Sequence, residues 1–189
     1  MGRSGHHSSR SYHHHHHYGS TRASLPLGFY IAVLVIVIII MIALESNETN
    51  KIKGKEKLDT EISLSEYLYD EADYFADSKE QELIGGLEYF YETTGVQPVV
   101  YTTTDYVTEG YVTKLYYKML TDESHIMIAL PIDFFGNNDQ YYYIGDDAET
   151  IITEVTMNEI FDRIDSSWSS KETAWNKSFR EVAELIVSK

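Results

Sequence analysis

The chain contains no cysteine, so it has neither a disulfide framework nor a thiolate to serve as metal ligand or nucleophile. Beyond residue 26 there is a single histidine, His125, at the head of an apolar run. A lone histidine there is structural, and no Ser/His/Asp arrangement accompanies it. No P-loop and no glycine-rich dinucleotide fingerprint occur either. Positive charge is scarce: 15 Lys and Arg stand against 30 Asp and Glu. All 30 acidic residues and 12 of the basic ones follow residue 44, a net −18 for that part. Nucleic acid, bound through cations set against phosphate, is excluded as a partner. Such a charge attracts cations or basic protein surfaces, and solubility is an equally sufficient use of it.

What the chain does have is an uninterrupted apolar run over 27–44, with no charged residue between Arg22 and Glu45. Eighteen helical residues reach about 27 Å, close to the hydrocarbon thickness of a bilayer. A transmembrane helix is expected, since a buried core helix would carry some polar residues. A cleaved signal peptide has a shorter apolar region, about 7–15 residues, followed by a small-x-small site. Ile42-Ala43-Leu44-Glu45-Ser46 offers no such site, so the span reads as an uncleaved anchor. Arg3, Arg10 and Arg22 precede it, and Lys51, Lys53, Lys55 and Lys57 follow. Arg22 lies nearest the span, while Glu45 and Glu48 separate the lysines from it. The tail is therefore expected in the cytoplasm and the large domain outside, on a single-pass protein of the cell membrane.

Residues 1–26 hold seven of the eight histidines among Ser, Gly, Arg and Tyr, and should be disordered. Clustered imidazoles bind transition metals loosely. Low-complexity drift explains the segment without a function, and the interrupted run of five is unlike a deliberate tag.

A charged, core-free linker is expected over 45–61 and a domain over 62–189. Ser78-Lys79-Glu80-Gln81 has the capping-box pattern, with Asp77 as the other candidate cap. The helix it opens carries Leu83, Ile84, Leu87, Phe90 and Tyr91 at helical spacing. Gly85-Gly86 weakens it by about 1 kcal/mol per glycine, so a neighbour must pack close. Gly95 ends it. The segment 96–102 is β-branched, and Pro98 within it argues for an edge strand or a late start. A second helix fits 107–120, with Val112, Leu115, Tyr116 and Met119 on one face. The nearly continuous apolar run 125–130 reads as a strand covered on both faces. After turn chemistry at 135–139, residues 140–144 should return antiparallel to it. Asp147 is expected to cap a helix through Ile151, Ile152 and Val155, continuing over 158–164. A last helix, 171–187, sets Trp175, Phe179, Val182 and Ile186 on one stripe. The class is α/β: a small central sheet sandwiched by helices, preceded by the single transmembrane helix.

Tyr69-Asp70-Glu71-Ala72-Asp73-Tyr74-Phe75, a helix, and then Thr94-Gly95-Val96-Gln97-Pro98-Val99-Val100-Tyr101 resemble the opening of the TPM domain family. That family shows Asp-x-Ala-x-x-Leu, a helix, and a Thr-Gly-x-x-x-Val-Val strand. The stretch from Asp122 through His125 to Leu130 is similar to its Asp-Asn-Gly-plus-apolar strand. Tyr143-Ile144-Gly145 matches its later strand ending in glycine. The resemblance covers 68–186 and implies an α/β/α sandwich, membrane anchoring and an extracytoplasmic domain. Family members serve in photosystem repair in the thylakoid lumen, as membrane-anchored bacterial domains, and as a single-span accessory subunit of an acetylcholine receptor. Calcium binding and acid phosphatase activity are associated with some of them. Asp122-Glu123-Ser124 departs from Asp-Asn-Gly, keeping only the aspartate.

An antiparallel pairing of 125–130 with 140–144 would bring Asp122 and Glu123 beside Asp146 and Asp147. These four carboxylates are the candidate metal ligands, and oxygen donors suit Ca²⁺ before Mg²⁺. Asp147 as a helix cap with solvated neighbours accounts for them equally. Asp70, Asp73, Asp77 and Asp105 should gather at the opposite end of the sheet, where helix capping also explains them. Trp168, Trp175 and Tyr141 to Tyr143 read as core and sheet-face residues, any exposed subset forming a partner surface. The expected function is a membrane-anchored, extracytoplasmic TPM-like binding or accessory module with a protein partner in or at the membrane. No catalytic residue is assigned. The alternative is a metal-dependent acid phosphatase on the same scaffold, which would need the metal to offset the acidic surroundings.

Overall fold

The computed structural model describes residues 27–59, 62–132 and 140–188. The chain divides into two compact units, 1–41 and 42–189. The described residues of the first belong to helix α1 (Leu27–Ile52), which continues into the second. Its described side chains over 29–42 are exposed. Among the described residues no helix is long and apolar enough to cross a membrane. The side chains at both ends of the expected 27–44 span, the His-rich tail and the turn at 135–139 lie outside the described residues.

The second unit is an α/β domain around a four-stranded sheet in the order β1 (Leu68–Asp70), β2 (Gln97–Thr103), β3 (His125–Pro131), β4 (Tyr141–Ile144). The first three strands are parallel. β4 returns antiparallel to β3, Ile126 opposite Ile144 and Ala129 opposite Tyr141, as the alternation of the two segments requires. Helices α2 (Glu80–Thr94), α5 (Glu154–Asp165) and α6 (Lys171–Val187) cover one face, burying Leu83, Phe90, Phe161, Trp175 and Phe179 against Val100, Ile126 and Ile128. Helix α3 (Glu109–Met119) covers the other, setting Val112, Leu115 and Tyr116 on Val99, Tyr101, Met127 and Ala129. With both faces covered, every residue from His125 to Leu130 is buried, hence the continuous apolar run.

Both parallel crossovers advance the same way across the sheet, yet α2 and α3 lie on opposite faces. They therefore have opposite hands, and one of them is left-handed, against a preference obeyed by about 98% of such connections.

Four local expectations are corrected. β2 is a central strand despite Pro98, paired on both sides. Val100 donates its N–H to Tyr67 O, so the N–H that Pro98 lacks would point the same way, before β1 has begun. Neither Asp77 nor Ser78 caps α2. A 3₁₀ turn, Asp77–Lys79, precedes it, and the free amide of Ala76 is taken by Glu172 Oε1 of α6 at 2.9 Å. Asp147 lies inside a one-turn helix, α4 (Asp146–Glu149), whose N-cap is Gly145. The chain then breaks before α5, which Thr153 starts through a capping box with Thr156. Finally, 45–61 is not free of core residues. Ile52 is buried in the main core, and the Leu58 N–H donates to Thr94 O. Gly95 has φ +80°, and a β-carbon there would overlap Leu58, so only glycine fits the site.

The two features on which α2 depended are present. Gly95 is its left-handed C-cap, and the backbone of Asn176 in α6 packs against Gly86.

Candidate functional site

The pairing of β3 with β4 brings the 122–124 turn beside the start of α4. Gly145 N–H donates to His125 O at 3.0 Å, and Ala148 N–H to Glu123 O at 3.0 Å. A β-carbon on Gly145 would overlap the Glu123 carbonyl and the Tyr116 hydroxyl, so the approach depends on glycine. The Asp122–Glu123 pair thus lies next to Asp146–Asp147, but the carboxylates are turned to different tasks. Glu123 Oε2 accepts from the first amide of α4, Asp146 N–H, at 3.3 Å, where a helix N-terminus favours negative charge. Asp122 Oδ2 accepts from Ser63 N–H at 2.8 Å, and Oδ1 from Ser124 N–H at 3.1 Å. Asp146 and Asp147 are exposed. Among the described residues no three His, Asp or Glu side chains are grouped so as to hold a metal ion.

Of the four aspartates expected at the far end of the sheet, Asp70 closes β1 opposite Thr102 of β2. Both Asp70 carboxylate oxygens are occupied, accepting from Tyr74 N–H, Phe75 N–H and the Thr102 hydroxyl. Asp73, in left-handed backbone with φ 53°, is exposed, as are Asp77 and Asp105. The cap of α3 is Thr108 and not Asp105, the Thr108 hydroxyl accepting from Tyr111 N–H.

A buried polar chain that sequence reasoning missed runs from the first turn into the sheet. Gln97 binds the Ser65 backbone in both directions, its Nε2 donating to Ser65 O and its Oε1 accepting from Ser65 N–H. That fixes the amide orientation and leaves Oε1 facing His125 Nε2 at 3.1 Å, so Nε2 carries the proton. His125 Nδ1 lies 2.9 Å from Asp122 Oδ1 but without the alignment of a hydrogen bond. Burial holds the imidazole below its ordinary pKa, the Asp122 charge pulling the other way. The ring is fully buried, held between Gln97 and Asp122. The available signal was Gln97, an amide at the head of a strand that goes on as Pro-Val-Val-Tyr. Together Asp122 and Gln97 pin the 62–67 segment to the sheet.

The C-terminal end of β3 opens beside the loop joining α5 to α6. A pocket of about 230 Å³ lies there, lined by Tyr74, Leu130, Gln140, Asp165, Lys171 and Trp175 among others. Lys171 sits over the Tyr74 ring, 3.6 Å from its centroid. Trp168, at the tip of the loop, is fully exposed, whereas Trp175 is buried.

No family model matches the chain, and no curated protein matches it. Among solved structures it is similar to the N-terminal domain of the cg2496 protein from Corynebacterium glutamicum, determined in solution by NMR. The match covers 70% of this chain and 85% of that one, with 10% identity and a TM-score of 0.48.

Proposed function

We propose that this chain is a membrane-anchored binding or accessory module of TPM-like type, its α/β domain held outside the cytoplasm beside a partner membrane protein. The observation that carries the reading is the helix segment 29–42. Twelve of its side chains are Phe, Ile, Val, Leu or Met, and all of those twelve are exposed. Left in water, apolar surface on that scale costs on the order of ten kcal/mol or more, and lipid removes the cost. The chemistry of the domain fits binding better than turnover. Asp70, Asp122 and Glu123 accept backbone hydrogen bonds that build the fold, and the one domain histidine is buried against Gln97. The test is topological. Protease added to intact spheroplasts expressing the full chain should remove 62–189 and spare an epitope on the N-terminal tail. A domain that survives until the membrane is permeabilised would overturn the reading.

A further inference from the structure

The outer edge of β4 is the feature that the reading above leaves without a role. Among the described residues no strand pairs with that edge. The β3–β4 register and the Gly145 N–H bond to His125 O set Tyr141 and Tyr143 to pair inward. Alternation then points the N–H and C=O of Tyr142 away from the sheet. A groove of about 520 Å³ runs along this edge, with Glu109 and Thr113 of α3 on one wall and Glu154 of α5 on the other. Because α3 and α5 cover opposite faces of the sheet, a groove lined by both follows the open edge of β4. Both carboxylates act on Tyr142. Burial first, then the charges of Glu154 and Glu109, push its hydroxyl above the ordinary value. Neither glutamate takes part in an ion pair among the described residues.

We infer that the β4 edge accepts an extended, basic segment of a partner protein, which adds a fifth strand next to Tyr142. Backbone pairing supplies the register, as in other strand-addition complexes. Side chains alternate across a strand, so adjacent residues of the guest point to opposite walls. A Lys-Arg pair therefore reaches Glu109 with one side chain and Glu154 with the other. A second copy of this chain is the poorer occupant: pairing β4 with β4 would crowd four like charges around one edge, in a chain of net charge −15. The inference gives the binding-module reading a partner chemistry and rests on it. The spheroplast experiment judges the anchor and topology separately, so the two can fail independently.

The probe is a fluorescein-labelled, end-blocked octapeptide of alternating threonine and valine with a lysine–arginine pair at its centre. It is titrated by anisotropy against the full chain in nanodiscs of zwitterionic lipid. The expected result is saturable binding that raises hydrogen-exchange protection at the Tyr142 amide. Glu109→Gln with Glu154→Gln should weaken it roughly threefold to tenfold, as two rim ion pairs would. Both residues are exposed, so thermal unfolding confirms that this variant is folded. Replacing the central pair with two glutamates, or N-methylating the backbone amides that face β4, should abolish binding. No saturable binding overturns the inference, as does equal binding of the acidic or N-methylated peptide. An unchanged dissociation constant in the double variant overturns it too. So does protection of Tyr142 that rises with protein concentration in the absence of peptide, which would assign the edge to a second copy.

Discussion

Alanine at two adjacent glycines should move stability in opposite directions. Gly85 and Gly86 lie in the middle of α2, where each costs about 1 kcal/mol in helix propensity relative to alanine. At Gly85 an added β-carbon meets only the Asn176 Nδ2 tip, at 3.8 Å, which is ordinary contact. Gly85→Ala should therefore recover the propensity, about 1 kcal/mol. At Gly86 the same atom falls 2.8 Å from Asn176 O and 3.0 Å from its carbonyl carbon, and overlaps the Cα. These are backbone atoms of α6 and cannot swing aside. Relief requires α6 to retreat from α2, opening the layer in which Leu83, Leu87 and Phe90 meet Trp175 and Phe179. Overpacking of this kind costs about 1–3 kcal/mol or more. Because the clash is with backbone, the cost falls at the upper end of that range, and net of the propensity gain Gly86→Ala should destabilise by about 2 kcal/mol or more. For a domain of this size each kcal/mol moves the midpoint about 2–4 °C, so Gly85→Ala should melt a few degrees higher and Gly86→Ala a few degrees lower. The readout is thermal unfolding followed by Trp175, which is buried, in a Trp168→Phe background that removes the exposed reporter. A Gly86→Ala midpoint at or above that of the parent would refute the close approach of α2 and α6.

Two further outcomes follow from the hydrogen-bond geometry. Glu172, buried in α6, accepts from Ala76 N–H, and that bond holds its carboxyl below the ordinary 4.5. The unfolded chain protonates first as pH falls, so this contribution is complete above about 4.5 and is lost down to the lower folded value. It is worth up to about 1.4 kcal/mol per pH unit in that window, and Glu172→Gln should flatten the acid limb of a stability–pH curve. Asp122→Asn sets an amide donor against one of two backbone donors, Ser63 N–H or Ser124 N–H. Ser124 is buried and Ser63 exposed, so the amide should turn its NH₂ towards Ser63, and losing that hydrogen bond should cost about 0.5–1.5 kcal/mol in chemical denaturation. The loss should be the same with and without Ca²⁺; a loss seen only with calcium would mean that Asp122 acts as a ligand.

Much of the domain followed from patterns local to one element. The stripe Trp175, Phe179, Val182 and Ile186 determined α6, whose bounds are those expected, because a surface helix must turn one apolar face inward every 3.6 residues. The apolar run at 125–130 determined a doubly covered strand, and the segment after it an antiparallel partner. Gly85-Gly86 in a helix required a close neighbour, since nothing else offsets their propensity. Tertiary structure alone decided what depends on partners distant in the chain. β1 is three residues with no period to detect, and it is a strand because it pairs in parallel with Val100–Thr102 of β2. Pro98 stands in a central strand because β1 starts after it, and Ile52 enters the core across a stretch whose composition is that of a linker. The amide of Ala76, before the 3₁₀ turn that leads into α2, is met by Glu172, 96 residues away in the chain, a partner no local capping pattern could show. The carboxylates show the difference most clearly. Sequence spacing and strand direction brought Asp122 and Glu123 next to Asp146 and Asp147. The direction in which each carboxylate points was set by whichever unsatisfied backbone N–H lay within reach, and that is a property of the folded chain.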